Sequence, residues 1–175
     1  CTNPVIRAAL DAGVDCIDLR FPQDIVPDLF AWTTAIRGAG LRYFTQAGHL
    51  PGMPSVLARY AAARFPGATR LELATAMALP ALGSPGAAEE MVDIIAGLRG
   101  ERFARGRWEP SRPWQVRPVD FGASFKSRLC LSLRLAEMRD LPAQLGLQAL
   151  SLYLAGANWF VNGLVSPLIM ALQPA

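Results

Sequence analysis

Histidine and lysine are nearly absent from this sequence, which holds one of each, His49 and Lys126. A single histidine excludes any site built from several histidines, such as a two-histidine zinc site. The three cysteines, Cys1, Cys16 and Cys130, show no C-x-x-C spacing, so the pattern predicts no cysteine-based zinc site. Cys16 and Cys130 lie in apolar runs, which indicates buried, reduced thiols and favours a cytoplasmic location.

A dinucleotide fingerprint is missing as well. The pattern G-x-G-x-x-G occurs nowhere in the 175 residues, and in dinucleotide-binding folds this glycine-rich turn holds the phosphates. The chain begins at Cys1, at what resembles the end of a strand and without a signal-peptide pattern. These features predict a fragment whose upstream part is missing, and we expect the fragment alone to hold a dinucleotide weakly.

Positive charge comes almost entirely from arginine: 16 arginines and one lysine give a net charge of +3. Six arginines fall between Arg99 and Arg117, diluted by Glu101 and Glu109. No nucleic-acid-binding motif accompanies them, so we expect a solvated basic region and no nucleic-acid partner. The 52% hydrophobic content is ample for a buried core.

The C-terminal part carries no charged residue after Asp140. Its apolar stretch, residues 159–172, is interrupted by Gly163 and Pro167 and falls short of the roughly 20 apolar residues of a membrane-spanning helix. The stretch favours a buried helix, or one lying on a sheet or dimer face. Membrane attachment is the weaker alternative.

The first third of the chain predicts helices that alternate with strands. The predicted elements are a helix that begins at Asn3-Pro4 and ends at Gly13, a strand over Cys16–Leu19, a helix over Pro27–Arg37 and a strand over Leu41–Thr45. This order is typical of α/β proteins with a parallel sheet. It predicts the C-terminal half of a Rossmann-type parallel sheet over residues 1–47.

The remainder, residues 48–175, has more strands than helices. The predicted strands are Thr69–Ala78, Arg105–Trp108, Gln115–Phe121, Leu129–Leu135 and Leu147–Leu154, with a helix from Ser84 to Leu98 between the first two. Strands with few helices between them indicate a mixed sheet. We expect an α+β domain that binds substrate and pairs subunits.

One stretch, residues 43–54 (Tyr-Phe-Thr-Gln-Ala-Gly-His-Leu-Pro-Gly-Met-Pro), joins a strand to a helix through a turn rich in glycine and proline. Gly48 and Gly52 permit backbone angles closed to other residues and allow a ligand to approach the main chain. Pro54 suits the first turn of the following helix. Ligands of α/β sheets bind at such corners, although a plain strand-to-helix connection explains the same pattern.

Residues 47–54, together with residues 1–18 (Cys-Thr-Asn-Pro-Val-Ile-Arg-Ala-Ala-Leu-Asp-Ala-Gly-Val-Asp-Cys-Ile-Asp), resemble the saccharopine dehydrogenase-like NAD(P)-binding family. In that family a small-residue turn and a helix lead to a short strand that ends in Asp. A G-x-x-P-G turn at the mouth of the cofactor cleft follows. Both motifs occur here in that order, and weaker matches lie at residues 106–108, 119–122 and 137–142.

The resemblance implies which residues contact the cofactor, NADP or NAD: Thr2, Asn3, Pro4, Gly48, Pro51 and Gly52. The first three would lie where the cofactor passes from adenosine toward nicotinamide, and the others would face the nicotinamide end. Capping of the helix by Asn3 and its initiation by Pro4 account for those two residues without a cofactor.

Two ionisable residues in these motifs are the candidates for catalysis. His49 lies between the glycines of the turn, where it could bind a substrate carboxylate or act as a general acid near neutral pH. A histidine that bonds the nearby backbone is the alternative. Asp18 matches the end of the family's Tyr-x-Asp strand, but Cys16 occupies the aromatic position, and Asp18 could instead cap the next segment.

The resemblance therefore implies a portion of an NAD(P)-dependent oxidoreductase. Such an enzyme transfers a hydride at a C–N or C–O centre of a small amino-acid-like substrate, and we expect a homodimer. The alternative is an inactive nucleotide-binding or dimerisation module of the same fold. The sequence does not separate NAD from NADP, because the acidic residue that would meet the ribose belongs to the missing half.

Overall fold

The computed structural model describes residues 4–19, 26–76, 98–112, 115–156, 163–164, 167–168 and 171. The chain divides into two compact units, Cys1–Val56 and Leu57–Ala175. The predicted domain boundary between residues 47 and 48 stays a prediction. Thr2, Asn3, the helix predicted to begin at Ser84 and most of the apolar stretch 159–172 lie outside the described residues.

The first unit alternates helices and short strands. Its elements are α1 (Pro4–Ala12), β1 (Cys16–Ile17), α2 (Val26–Ala31), α3 (Thr33–Gly38) and β2 (Tyr43–Phe44); α4 (Met53–Arg64) begins in this unit and continues into the second. The two strands are parallel, with Cys16 opposite Tyr43 and Ile17 opposite Phe44. The α/β class is confirmed, and within the described residues the parallel sheet of this unit has these two strands.

The prediction of one helix over Pro27–Arg37 is wrong in one respect, because the helix is interrupted at Trp32. The Trp32 amide bonds the carbonyl of Leu29 (3.1 Å), three residues back, and Trp32 has ψ near zero. Two β-branched threonines follow, Thr33 and Thr34, whose stiff side chains lower helix propensity. The local sequence therefore forms two short helices in place of one long one.

The second unit contains one six-stranded sheet. Its strands are β3 (Arg70–Ala76), β4 (Glu101–Ala104), β5 (Arg107–Pro110), β6 (Arg117–Asp120), β7 (Ser127–Ser132) and β8 (Ala149–Ala155). A 3₁₀ turn (Ala136–Met138) and helix α5 (Leu141–Leu145) lie between β7 and β8. The β3–β8 pair is parallel and the other pairs are antiparallel, so the predicted mixed sheet is confirmed.

Strand β8 organises this sheet. One edge of β8 pairs with β3 along its whole length. Its other edge pairs with β4 at residues 149–151 of β8 and with β7 at residues 153–154 of β8. Strands β4 and β7 meet where the Ser132 hydroxyl donates to the carbonyl of Glu101 (2.9 Å). Alternate residues of β8, Leu150, Leu152 and Leu154, are buried. The core joins them to Leu131, Leu133, Leu135, Met138, Leu141 and Leu147.

The sheet also corrects one predicted strand. Arg105–Trp108 was expected to be extended, but Arg105 and Gly106 form the two-residue turn between β4 and β5, both with positive φ (52° and 78°). Two left-handed residues match the twist of a tight hairpin. The strands predicted over Leu129–Leu135 and Leu147–Leu154 are present with shifted ends. Within the described ranges, no helix has both the length and the apolar character needed to cross a membrane.

Candidate functional site

The carboxyl ends of β1 and β2 bring together two motifs that are far apart in sequence. The ladder continues past the strands, because the Asp18 amide donates to the carbonyl of Phe44 (2.7 Å). The Ala47 amide in turn donates to the carbonyl of Asp18 (3.1 Å). Since the two strands are parallel, the segments that follow them leave the sheet at the same end. Asp18 therefore lies beside the start of the Gly48–Gly52 turn, which we call the glycine turn.

The glycine turn is closed by its own backbone. Gly48 and Gly52 form a bridge, the Met53 amide donates to the carbonyl of Gly48 (3.0 Å), and the Leu50–Pro51 peptide is cis. The Ser55 hydroxyl on the first turn of α4 donates to the carbonyl of Gly52 (2.9 Å). Pro51 is buried. The turn is thus anchored at both ends.

Gly52 occupies a position that no other residue fits. Its φ is +123°, and a Cβ atom there would lie 2.5 Å from the carbonyl oxygen of Gly48 and would also collide with that of Gln46. Gly48 is less constrained, because its Cβ would lie 3.2 Å from the carbonyl oxygen of Pro51. The backbone of the turn is therefore tightly folded, and the glycine at position 52 is a structural requirement.

Buried polar groups surround this corner. Asp18 is only 6% exposed and accepts a hydrogen bond from the Tyr43 hydroxyl (3.2 Å). Gln46 has a left-handed backbone (φ +56°) and is 9% exposed. Among the described residues, Gln46 Nε2 and Thr45 Oγ1 are buried without a hydrogen-bond partner. Buried polar atoms without partners are rare and costly, so each calls for an explanation such as a ligand.

An apolar groove of about 390 Å³ lies next to β2. Its lining includes Leu29, Phe30, Ile36, Tyr43 and Thr45. The Thr45 hydroxyl that lacks a partner thus belongs to a residue of this groove. A mostly apolar pocket with a few polar groups is typical of small-molecule sites.

One face of the β1–β2 pair is exposed and apolar. Ile17 and Phe44, which are directly opposite each other, are 68% and 52% exposed, and the neighbouring Leu19 is exposed as well. Parallel strands are normally covered on both faces. This surface is the kind that further βα units of a doubly wound sheet cover.

The amino-terminal ends of the same strands are joined by a surface ion pair. Asp15 accepts hydrogen bonds from the Arg42 amide (2.8 Å) and from both Nε and NH2 of its guanidinium (3.0 and 2.8 Å). The backbone hydrogen bond from Arg42, followed by the bonds from its side chain, lowers the pKa of Asp15 below the ordinary 3.8. This clamp sets the register of β1 against β2 and lies at the end opposite Asp18.

The structure brings together some of the predicted site residues. Asp18, Gly48, Pro51 and Gly52 lie at one corner, and His49 is an exposed residue of the same turn. Pro4 is the first residue of α1 and is exposed, while Thr2 and Asn3 lie outside the described residues. The roles assigned to these residues stay predictions.

Sequence reasoning missed Thr45, Gln46 and Tyr43. No pattern marks Gln46, because glutamine is not a residue from which a positive φ is expected. No signal within one segment marks Tyr43 either, because it approaches Asp18 only through the pairing of Cys16 with Tyr43 across the two strands. The aromatic group that reaches Asp18 therefore comes from the neighbouring strand.

In the described part of the chain, no three His, Cys, Asp or Glu side chains converge on a possible metal position. Comparison of the sequence with models of protein families and with curated proteins finds no match.

Proposed function

We propose that the chain is a portion of an NAD(P)-dependent oxidoreductase that resembles the saccharopine dehydrogenases. The observation that carries the proposal is the junction of Asp18 with the glycine turn at the carboxyl ends of two parallel strands. Ligands of open α/β sheets bind in the crevice outside these ends. We further propose that the protein is a homodimer in the cytoplasm and acts on a small amino-acid-like substrate.

The residues at the corner fit a dinucleotide. Gly48 and Gly52 allow the turn to fold tightly at the carboxyl ends of the strands, and Gln46 Nε2 and Thr45 Oγ1 offer hydrogen-bonding atoms that have no partner among the described residues. A dinucleotide is rich in oxygen atoms that accept hydrogen bonds. Bound there, the cofactor supplies the hydride chemistry, and the protein supplies binding and orientation.

In this proposal, a few groups of the protein bind and orient the cofactor and donate a proton. Gly48, Pro51 and Gly52 shape the nicotinamide end, while Thr2, Asn3 and Pro4 line the path from the adenosine. His49 is exposed on the turn and is the candidate proton donor to the substrate. Asp18, held by Tyr43, keeps the corner in position.

The variant Gln46→Met tests this proposal. Methionine has a similar size and removes the amide, so the fold should be at least as stable, while affinity for NADPH and NADH should fall about tenfold, as for one lost hydrogen bond. Isothermal titration measures affinity, and urea unfolding measures stability. Gln144→Met is the control, because Gln144 bonds Arg59 (2.5 Å) on the exposed surface of the second unit. Equal affinities of all three proteins would contradict the proposal.

The second candidate is an inactive module that binds a nucleotide or forms dimers. The exposure of His49 favours it, because acid–base catalysis works best in a site from which water is excluded. It predicts nucleotide binding by the complete protein without substrate-dependent oxidation of NAD(P)H. Turnover with any amino-acid-type substrate excludes it, and a drop in turnover for His49→Gln with unchanged cofactor affinity supports the enzyme.

A further inference from the structure

A second cavity, of about 580 Å³, lies in the Leu57–Ala175 unit, at one end of its sheet. We call it the arginine cavity. Its walls come from the first residues of the parallel strands β3 and β8 and from the turn between β4 and β5. Arg70, Arg105, Phe103 and Gln148 are the lining side chains that can recognise a ligand.

The two arginines of this cavity lack the carboxylate partners that four other arginines of the same unit have. Arg102, Arg107, Arg117 and Arg139 each pair with a carboxylate of the same unit. Within the described residues, Arg70 and Arg105 have no carboxylate within ion-pair distance, and no lining residue of the cavity is acidic. The cavity therefore carries two positive charges that the described part of the protein does not neutralise.

Glu109 interacts electrostatically with Arg105, but its carboxylate is already engaged. Its carboxylate accepts a hydrogen bond from Arg107 Nε (3.1 Å) and lies 3.7 Å from Arg102 NH2. The hydrogen bond from Arg107 lowers the pKa of Glu109, with the charges of Arg105, Arg107 and Arg102 acting in the same direction. Arg105 thus stays within electrostatic reach of Glu109 but forms no ion pair with it.

The backbone of Arg105 gives a second, independent indication. Its φ of +52° is the left-handed conformation, which at this position of a two-residue hairpin is normally taken by Asn, Asp or Gly. A long side chain there costs stability. Such an outlier supports a functional role, and Arg105 is one of the residues that line the arginine cavity.

The uncharged residues of the cavity suit a ligand that has both an apolar part and groups that accept hydrogen bonds. Phe103, half-buried against Trp108 with ring centroids 5.5 Å apart, supplies an apolar wall. The exposed side chain of Gln148 can donate a hydrogen bond. The carbonyl of Thr69 is occupied by the amides of Gln148 (2.7 Å) and Ala149 (3.1 Å), so it does not repel an anion.

We propose that the arginine cavity binds a small molecule through an oxyanion, a phosphate or a carboxylate, held by Arg70 and Arg105. The apolar body of this molecule lies against Phe103. Guanidinium groups bind these planar or tetrahedral oxyanions through paired, charge-assisted hydrogen bonds. The inference is independent of the proposed cofactor, because it uses only residues of the second unit.

Titration of the whole chain with phenyl phosphate, benzoate and inorganic phosphate, followed by amide chemical shifts in NMR spectra, tests the proposal. Phenyl phosphate or benzoate should shift the signals of Arg70, Phe103, Arg105 and Gln148. The tighter of these two ligands tells whether the natural group is a phosphate or a carboxylate. Inorganic phosphate should bind more weakly than phenyl phosphate because it lacks the ring, and equal affinity would overturn the role of Phe103.

Arg105→Asn is the informative variant, because asparagine accepts the left-handed backbone and only the guanidinium is lost. We expect its affinity to fall about tenfold or more, as for one lost charge-assisted hydrogen bond. Lys126→Asn is a matched control: Lys126 has φ +57°, lies in another turn and is outside the arginine cavity. Urea unfolding verifies that both variants fold. An equal loss in both variants, or no shift of the cavity signals at millimolar ligand, would overturn the proposal.

Discussion

The main chain at Gly52 packs directly against the carbonyl oxygen of Gln46, so that no side chain fits between them. This contact joins the end of the β2 strand to the last residue of the glycine turn. Gln46 itself has a left-handed backbone and is buried. The tightly folded turn and the buried amide that lacks a partner among the described residues thus lie at the same corner.

Gly52→Ala tests this contact. We expect the variant to lower the free energy of unfolding by about 3 kcal/mol or more, because it adds a collision to an unfavourable φ. Gly13→Ala is the control: Gly13 also has a positive φ (65°), but its Cβ would meet open space, so the cost should be about 1 kcal/mol. Urea unfolding measures both. Equal destabilisation of the two variants would contradict the packing described here.

A nearly buried carboxylate contributes to the stability of the second unit. Glu101 is 8% exposed and lies 2.9 Å from Arg139 NH2 and 3.6 Å from Arg134 Nε. Glu101→Gln should lower the free energy of unfolding by about 2 kcal/mol, because it leaves a partly desolvated guanidinium without its charge partner. Glu72→Gln, which breaks the more exposed pair with Arg117 on the same sheet, should cost less than about 1 kcal/mol. A larger loss for Glu72→Gln would show that this ranking is wrong.

The Asp15–Arg42 clamp predicts a dependence on pH. The folded pKa of Asp15 lies below 3.8, so the clamp stabilises the fold fully above that pH and less as the pH falls through the folded pKa. Asp15→Asn should therefore flatten the loss of stability below about pH 4, measured by urea unfolding at several pH values. Both side chains are exposed, so high salt should weaken the difference. Identical pH profiles for the two proteins would contradict the assignment.

Cys130 should be unreactive in the folded protein. It is fully buried, and burial raises the pKa of its thiol from 9.0 to about 11, so the reactive thiolate is scarce at pH 8. A variant that retains only Cys130 should react with a disulfide reagent only after unfolding in urea, whereas one that retains only the half-buried Cys16 should react faster in the folded state. Rapid labelling of folded Cys130 would show that the core opens around it.

The raised pKa of Cys130 also affects the stability of the protein at alkaline pH. Because the folded pKa of Cys130 exceeds its ordinary value, the native state loses stability as the pH rises from 9.0 to about 11. Cys130→Ala should remove this part of the alkaline loss. Unfolding midpoints at several pH values between 8 and 11 measure it, and an unchanged alkaline slope would contradict it.

Local patterns predicted the regular elements well. Proline at the start of α1, the alternation of leucines from Leu129 to Leu135 and the turn before α4 all carry short-range signals, and each appears in the structure, the alternation in β7. The turn at Arg105 was missed, because arginine seldom adopts a positive φ. The break at Trp32 was missed because the helical spacing of apolar residues continues across it.

Long-range pairing was harder to predict. Nothing in the alternation of leucines shows that β4 and β7 share one edge of β8. At the candidate site, Gly48 and Gly52 were visible because glycine marks unusual backbone angles. The Tyr43–Asp18 contact depends on strand register, and the burial of Gln46 depends on tertiary packing. A pattern within one segment carries neither kind of information.

The most direct test of the proposed cofactor is a titration of the chain with NADPH and NADH, followed by amide chemical shifts. The account predicts weak binding, with the largest shifts at Asp18, Gln46, Gly48 and Gly52. Shifts that are absent from these residues at millimolar nucleotide, or that are spread evenly over both units, would contradict a cofactor site at the carboxyl ends of β1 and β2.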